Sequence, residues 1–253
     1  ADAILTTDTV RKECAVEGQL EDGTKFRVAG LCKGSGMIAP NMGTMLGFIT
    51  TDLEVPRDQL EAMLRESVKR SFNMVVVDGD QSTNDTVILM STNEVKGEVD
   101  DNFKEALDYV CQSLAKQIAK DGEGAKHFLE VECSGARSED DAITVARSVV
   151  SSSLVKSAIF GADPNWGRII TAMGYSGVDF DPDEVSISLI AGENKATIVD
   201  CGVVMTYEDP AILEDAEAIM KNKDIRINVS LNDGDSTAVA YGCDLTYDYV
   251  KIN

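Results

Sequence analysis

The chain has 253 residues, 43% of them hydrophobic and 26% charged, which is the composition of an ordinary globular protein with a substantial core. Its 23 basic and 44 acidic residues give a formal net charge of −21 at pH 7, and the acids are spread along the whole sequence. This balance argues against nucleic acid and anionic membranes as partners, because both need a basic face. No window approaches the run of about 18 apolar residues that a membrane span needs, and the first residues lack the pattern of a signal peptide.

Hydrophobic periodicity predicts a mixture of strands and helices along the chain. In order, we expect strands over 25–34, 72–77, 86–90, 126–133, 185–190, 196–199, 225–231, 237–241 and 245–252, and helices over 55–72, 102–120, 138–157 and 210–220. Ser138, which is followed by Glu139 and two aspartates, is the expected cap of the third helix. Because the elements alternate without a regular βαβ repeat, the predicted class is a layered α/β (α+β) fold with helices outside the sheets.

The common catalytic and metal-binding sequence patterns do not fit this chain. His127 is the one histidine and falls inside a predicted strand, where it is interpreted as a strand-face side chain, so a Ser-His-Asp or Cys-His mechanism lacks its base. The six cysteines form no CxxC pair and no zinc pattern with His127, so reduced thiols of a cytoplasmic protein are expected. Residues 33–36 (KGSG) lack the ending of a phosphate loop. Residues 78–85 (DGDQSTND) begin like a calcium loop, but Thr83 and Leu89 stand where an EF-hand needs Gly and Glu, which leaves an acidic turn.

The stretch GMIAPNMGTMLGFITTD at 36–52 suits neither a buried strand nor a surface loop. Its proline and glycines interrupt a strand ladder, whereas its many large apolar residues are unusual for an exposed loop. Thr44 lies in the middle, and a threonine hydroxyl becomes an effective nucleophile only when a base is within reach. Cleavage of the Gly43–Thr44 bond would give Thr44 an α-amino group, whose reference pKa of about 7.7–8.0 suits a base at neutral pH. An ordinary turn residue is the alternative interpretation of Thr44.

Several motifs resemble those of the ornithine acetyltransferases, also called glutamate N-acetyltransferases. The run KGSGMIAPNMGTML at 33–46 is similar to the self-processing site of that family. The other similar blocks, which occur in the family's order, are Thr6-Thr7-Asp8, DGDQSTND at 78–85, KDGEGAKHFLEV at 120–131, GADPNWGRI at 161–169 and GCDLTYDYVKIN at 242–253. Together these blocks extend over the whole chain.

The resemblance implies a precursor that cleaves itself at Gly43–Thr44, so that residues 1–43 end an α chain and residues 44–253 form a β chain that begins with the nucleophile Thr44. It also implies an αββα sandwich and a ping-pong acetyl transfer in arginine biosynthesis. Thr44 would take acetyl from N2-acetylornithine and pass it from the acetyl-threonine to glutamate, with no metal and no cofactor. Some members of the family also use acetyl-CoA as the donor. The α and β chains would stay associated, as an (αβ)2 heterotetramer in the cytoplasm.

Position by position, the resemblance assigns substrate binding to Thr7, Lys33, Thr44, Glu123 and Asn253. The residue types suit amino-acid substrates, because Lys33 can pair with an α-carboxylate as a point charge and Glu123 can hold an ammonium group. The alternative interpretations are a solvated lysine for Lys33, a turn acid for Glu123 and a plain chain end for Asn253.

The sequence departs from the family in two respects. Gly43 stands where the family usually has alanine, and cleavage is still expected because a glycine carbonyl is open to attack. The family's chains also carry a segment before the blocks matched here, with a Thr-Gly pair that forms the oxyanion hole, and a few residues after KIN. Because loss of an oxyanion donor lowers the rate by about 10²–10³, we expect this polypeptide alone to be an incomplete enzyme.

Two other functions are compatible with the residues. In an amidohydrolase or aminopeptidase of the related self-cleaving fold, water would take the acyl group, and glutamate would not suppress the release of acetate from acetylornithine. A non-catalytic binding protein of that fold, with the acidic turn at 78–85 as a cation site, would still bind its ligand after Thr44→Ala. The acetyltransferase would instead lose both cleavage and acyl capture.

Overall fold

The computed structural model describes residues 1–41 and 44–253, which form two compact units, Ala1–Gly122 (unit 1) and Glu123–Asn253 (unit 2). Gly43, on one side of the predicted cleavage site, lies outside the described residues. The predicted boundary between residues 1–43 and 44–253 falls inside unit 1. This boundary is predicted as a cleavage site and not as a change of packing. That boundary stays a prediction.

Unit 1 is built around one sheet. Its elements are the 3-10 helices Asp2–Ile4 and Phe72–Met74, the strands β1 (Lys12–Gln19), β2 (Lys25–Lys33), β3 (Leu46–Leu53), β4 (Val75–Val76) and β5 (Thr86–Val95), and the helices α1 (Arg57–Lys69) and α2 (Asp101–Lys120). The sheet has the order β1-β2-β3-β5. The strands β1, β2 and β3 are antiparallel neighbours, whereas β5 runs parallel to β3.

Helix α2 packs on β1 and β2 and covers one face of this sheet. Phe26, Val28 and Cys32 stand at alternate positions of β2 and are almost fully buried, as expected for the core face of a strand. Gly30 continues that face, and a Cβ there would lie 2.9 Å from a methyl carbon of Leu114 on α2. The glycine therefore allows the helix to lie close to the sheet.

Unit 2 is built around a second sheet. Its elements are the strands β6 (Phe128–Ala136), β7 (Ser186–Ala191), β8 (Asn194–Asp200), β9 (Val203–Val204), β10 (Asp224–Ser230) and β11 (Ser236–Cys243), the helices α3 (Glu139–Ser151), α4 (Ser153–Phe160), α5 (Trp166–Gly174), α6 (Met205–Glu208), α7 (Pro210–Met220) and α8 (Tyr247–Ile252), and the 3-10 helix Pro182–Glu184. Within the unit the strand order is β11-β6-β10-β7-β8-β9. The pair β6 and β10 is parallel, and the other pairs are antiparallel. Helix α3 packs on β6 and β11, and α7 packs on β7 and β8.

The predicted layered α/β class is confirmed, because each unit consists of a sheet with helices packed on it. Each unit supplies one sheet and its helices, which are the parts that the predicted αββα sandwich requires. Within the predicted elements, the strand over 72–77 is reduced to β4 after a 3-10 turn, and the helix over 138–157 is divided at Ser152. The Ser152 hydroxyl accepts the N–H of Val155 at 3.3 Å and so caps a new helix, α4.

The strand predicted over 245–252 is wrong, since residues 247–252 form α8. Tyrosine and valine favour strands, and this segment holds two tyrosines and one valine, which alternate with polar residues only in part. The local chemistry of Thr246 decides the outcome, because its hydroxyl accepts the N–H groups of Asp248 at 3.1 Å and Tyr249 at 3.4 Å. A side chain in this position starts a helix.

Among the described residues, no single helix is long and apolar enough to cross a membrane, although α3 and α4 together, bent by 55°, reach the required length and composition. Val145 and Val149 of α3 and Ile159 of α4 are buried in unit 2, as in the core helices of a globular unit.

Candidate active site

The ends of three strands of unit 1 meet near Lys33, Thr44 and Asp85. The strand β3 begins at Leu46, two residues after Thr44, so the expectation that the stretch 36–52 does not suit a strand is wrong for residues 46–52. Lys33, the last residue of β2, lies opposite Leu46, and Leu46 lies opposite Thr86, the first residue of β5. The sheet register therefore brings Lys33, Thr44 and Asp85 to the same end of the sheet, where β2 ends and β3 and β5 begin.

Thr44 and Asp85 each carry a buried oxygen that has no hydrogen-bond partner among the described residues, namely Oγ1 of Thr44 and Oδ2 of Asp85. The backbone holds the two residues side by side, because the N–H of Met45 donates to Oδ1 of Asp85 at 2.8 Å. The N–H of Thr86 in turn donates to the carbonyl oxygen of Met45 at 3.1 Å. An unpaired buried polar atom is destabilising, so two of them in neighbouring residues are typical of a functional site.

Burial also changes the acidity of Asp85. The residue is 8% exposed, and burial raises the pKa of its carboxyl above the ordinary value. The N–H groups of Met45 and Ser82 and the charge of Lys33 lower that pKa, but they do not cancel the effect of burial. A carboxylate of raised pKa is a stronger proton acceptor than an ordinary one.

The end of β2 is shaped by Gly34, which follows Lys33. Gly34 has φ +153°, and a Cβ at this position would lie 2.9 Å from Cδ1 of Ile38 and 3.1 Å from Cβ of Met45. A side chain would separate the end of β2 from the start of β3. The glycine of the KGSG motif therefore serves close packing beside Thr44 and not phosphate binding.

The acidic turn at 78–85 fixes the backbone on both sides of Thr44. Asp78 accepts the N–H groups of Met37 at 2.7 Å and Ile38 at 3.0 Å, one on each carboxylate oxygen. Met37 has φ +54°, a left-handed conformation that is uncommon for a residue with a side chain. Asp78 thus holds the segment before Thr44, whereas Asp85 holds the residue after it.

Thr7 is exposed. It directly precedes Asp8, which belongs to a buried charge cluster. The side chain of Asp8 is fully buried, accepts the N–H of Gly34 at 2.7 Å and pairs with Lys12 at 2.6 Å. Lys12 also pairs with Asp121 at 2.5 Å. Burial acts to raise the pKa of Asp8, but the N–H of Gly34 and the ammonium of Lys12 outweigh it and hold this pKa below the ordinary value. The cluster ties the Thr7 segment to the end of β2.

In unit 2, the structure brings Glu123 and Asn253 together. The side-chain amide of Asn253 donates to Oε2 of Glu123 at 2.9 Å and to the carbonyl oxygen of Tyr249 at 3.1 Å. Glu123 is half-buried and Asn253 is exposed. These two predicted binding residues form one polar surface at the end of α8, whereas Thr7, Lys33 and Thr44 belong to unit 1.

Asp244 and Thr246 hold the loop that carries Glu123. Asp244 is buried, and its Oδ1 accepts the N–H groups of Lys126 at 2.8 Å and His127 at 3.0 Å, while its Oδ2 lies 2.9 Å from Nδ1 of His127. Thr246 donates from its hydroxyl to the carbonyl oxygen of Gly124 at 2.7 Å. The interpretation of His127 as a strand-face side chain is wrong, because β6 begins one residue later and the ring is bonded to Asp244.

The sequence does not reveal that Asp85 in unit 1 and Asp244 in unit 2 hold the segments of predicted site residues, although both lie inside blocks that resemble the family. In each block several polar residues could form such hydrogen bonds, and only the tertiary contacts show which residue does. In the part of the chain that the structure describes, no three His, Cys, Asp or Glu side chains are grouped as metal ligands would be. That no metal is needed stays a prediction.

Comparisons with known proteins agree with these motifs. A family model described as the ArgJ family matches residues 1–253. The glutamate N-acetyltransferase of Methanothermobacter thermautotrophicus is 54% identical over 253 residues, and that of Methanocaldococcus jannaschii is 49% identical over 259 residues. The arginine biosynthesis bifunctional protein ArgJ of Staphylococcus aureus strain COL is 45% identical over 259 residues. The matches cover all of this chain, which spans 63%, 64% and 60% of the lengths of these three relatives.

The crystal structure of the arginine biosynthesis bifunctional protein argJ from Bacillus halodurans, at 2.00 Å resolution, has a similar fold. The TM-score is 0.72 and the sequence identity is 39%, over 81% of this chain and 95% of that chain. The predicted resemblance is thereby confirmed. Because the family model matches residues 1–253 and the relatives are 45–54% identical over the whole chain, the chain belongs to the ArgJ family.

Proposed function

We propose that the protein carrying this chain transfers acetyl from N2-acetylornithine to glutamate through an acetyl-Thr44 intermediate, after it has cut itself between Gly43 and Thr44. The observation that carries this proposal is the buried Thr44 hydroxyl, which has no hydrogen-bond partner in the described ranges. Thr44 lies two residues before β3, whose first residue is opposite the last residue of β2 and the first residue of β5. Such a hydroxyl is available to attack a substrate. Relatives named glutamate N-acetyltransferase support the choice of reaction.

In the first half-reaction, the α-amino group of the cut Thr44 would take the proton of Oγ1 while this oxygen attacks the acetyl carbonyl carbon. The intermediate would collapse by breaking the bond from carbon to nitrogen, and the nitrogen of ornithine would take the proton as it leaves. Acetyl would then be an ester on Oγ1. In the second half-reaction the amino group of glutamate would attack this ester and return the Thr44 hydroxyl.

We assign substrate binding to Thr7, Lys33, Glu123 and Asn253 as well as to Thr44. Lys33 would pair with the α-carboxylate that both substrates carry, because an ammonium is a compact point charge for a carboxylate. Glu123 would hold an ammonium group, with Asn253 fixing the carboxylate through the bond of 2.9 Å between them. No cofactor is needed in this scheme, and acetyl-CoA would be an alternative donor.

The two pieces would stay together as α and β chains and assemble as an (αβ)2 heterotetramer in the cytoplasm. The pairing within unit 1 supports the first part of this proposal, because β2 lies before the cut and β3 after it. The register of these strands runs from Val28 opposite Thr51 to Lys33 opposite Leu46.

The test is to incubate the purified protein with N2-acetylornithine and to measure the intact mass of the fragment that begins at Thr44. We expect this fragment to gain one acetyl group and to lose it when glutamate is added, with formation of N-acetylglutamate. Thr44→Ser should retain both cleavage and labelling, whereas Thr44→Ala should lose both. Acetate release that glutamate does not reduce, or acetyl on another side chain, would contradict the proposed function.

A further inference from the structure

The proposed cut needs a proton acceptor other than the α-amino group of Thr44. Before the Gly43–Thr44 bond is broken, that nitrogen belongs to an amide, whose lone pair is delocalised into the carbonyl. The Thr44 hydroxyl must nevertheless lose its proton when it attacks the carbonyl carbon of Gly43. Another group must therefore accept the proton in the precursor.

We propose that Asp85 is this group and that its Oδ2 takes the proton of the Thr44 hydroxyl in the uncut chain. The inference rests on the cut proposed above. Among the described residues, the buried side-chain atoms without a hydrogen-bond partner are Oγ1 of Thr44, Oδ2 of Asp85 and Oδ1 of Asn73. Two of these three atoms thus belong to the proposed proton donor and its acceptor.

The backbone places the acceptor beside the donor. The N–H of Met45 occupies Oδ1 of Asp85 at 2.8 Å, and the N–H of Ser82 also acts on this carboxylate, but Oδ2 has no hydrogen-bond partner among the described residues. The next bond of the ladder, from the N–H of Thr86 to the carbonyl oxygen of Met45, fixes the chain on the other side of the carboxylate. The two oxygens are not hydrogen-bonded to each other, and the transfer requires them to close to bonding distance, as catalytic contacts commonly do only when the reaction starts.

The other acids bonded to this end of unit 1 are already occupied. Asp8 accepts from Gly34 and pairs with Lys12, which also holds Asp121. Asp78 uses both oxygens for backbone N–H groups. Burial raises the pKa of Asp85 but leaves Asp8 with a lowered pKa, so Asp85 is also the stronger acceptor of these two carboxylates.

The step conserves atoms and charge. Oγ1 of Thr44 bonds to the carbonyl carbon of Gly43 as its proton moves to Oδ2 of Asp85. The bond from this carbon to the nitrogen of Thr44 then breaks, and the nitrogen takes the proton from Asp85, which leaves an ester and a free amine. Water adds to the ester, the bond from carbon to Oγ1 breaks, and the products are a carboxylate on Gly43, a hydroxyl on Thr44 and a proton bound by the new amine.

The experiment compares the rate of cutting of the uncut precursor in the wild type and in Asp85→Asn, followed by intact mass spectrometry. Asparagine keeps an oxygen for the N–H of Met45 but removes the base, so we expect the rate to fall by about 10²–10⁴. Asp85→Glu should recover part of the rate. The matched control is Asp80→Asn, which removes an exposed carboxylate from the same turn and should cut like the wild type.

A second variant separates proton transfer from a structural role. In Asp85→Ala the side chain leaves space for a small acid, and added formate should speed the cut with increasing concentration, whereas chloride should not. Cutting of Asp85→Asn at the wild-type rate would overturn the proposal. So would a folded, uncut Asp85→Ala that formate leaves unchanged. A wild-type precursor that never cuts would instead contradict the proposed function.

Discussion

Lys33 and Asp85 are coupled electrostatically across the ends of β2 and β5. The charge of Lys33 lowers the pKa of Asp85, although burial raises that pKa by more. Lys33→Met removes the charge and keeps a chain of similar length, so we expect the pKa of Asp85 to rise further. The measurement is a titration of the Asp85 carboxyl carbon by NMR in Thr44→Ala, which keeps the chain in one piece.

Lys25→Met is the control for this prediction, because Lys25 lies at the other end of the same strand and pairs with Glu17 at 3.2 Å. Its loss should leave the Asp85 titration unchanged. An equal shift in both variants would show a general effect of net charge and would contradict a local coupling between Lys33 and Asp85.

The sign of the coupling also sets how stability responds to pH. The pKa of Asp85 is higher in the folded chain than in the unfolded one. The contribution of Asp85 to the free energy of unfolding therefore falls as the pH rises from the pKa of the unfolded chain through the pKa of the folded chain. In Lys33→Met this interval should extend to higher pH.

The sequence predicts Thr44 as the nucleophile, and this stays a prediction, but it does not single out the acid near it. Thr44 is marked by local features, namely the proline and glycines of an otherwise apolar stretch. Asp85 is one of several polar residues in DGDQSTND, and nothing local distinguishes it from Asp78 or Asp80. The register of β3 against β5 selects it, and strand register is a long-range property.

Among the elements, α8 shows how one cap can override strand propensity. The Thr246 hydroxyl accepts from Asp248 and Tyr249 and donates to the carbonyl oxygen of Gly124. Thr246→Val keeps the shape and removes these bonds, so we expect the free energy of unfolding to fall by about 1–2 kcal/mol. Amide exchange of Asp248 and Tyr249 should become faster, as measured by NMR.

Thr246→Ser keeps the hydroxyl and is the control for this substitution. It should retain slow exchange at both amides and nearly the wild-type free energy of unfolding. Slow exchange in Thr246→Val as well would show that packing, and not the cap, forms the helix.

Among the elements that the sequence did not predict, β1 and α5 carry weak local signals. Ala15 and Gly18 have low strand propensity, so the alternation along β1 is hard to recognise. Helix α5 is short and contains Gly167 and Gly174, which disfavour a helix. The side chain of Asn165, which accepts the N–H of Arg168 at 3.1 Å, starts this helix.

At the scale of the whole molecule, the blocks that resemble the family predicted both the fold class and the family, whereas composition alone gave only a globular protein of mixed structure. What the blocks could not give is the pairing between distant segments. The contact of Glu123 with Asn253, for example, joins residues 130 positions apart. Likewise, the bonding of β2 to β3 across the proposed cut follows from the sheet order and not from any local pattern.

This pairing determines what should happen to the two pieces after the cut. Phe26 is 1% exposed on the α2 side of β2 and lies edge-on to Phe103 of α2, with ring centroids 5.4 Å apart. The piece ending at residue 43 is thus held by a strand ladder and by core packing. We expect both pieces to elute together in size-exclusion chromatography without denaturant and to separate only in urea.

Phe26→Ala removes the core contact and should weaken this association by about 3–5 kcal/mol, so the pieces should separate at a lower urea concentration. Arg27→Ala alters the next residue of β2, whose side chain is 73% exposed, and should change the result by less than about 0.5 kcal/mol. The two variants share one strand and differ in the face that they alter. If the pieces of the wild type separate without urea, or if both variants separate at the wild-type concentration, then the β2 ladder and its packing on α2 are not what joins the α and β chains.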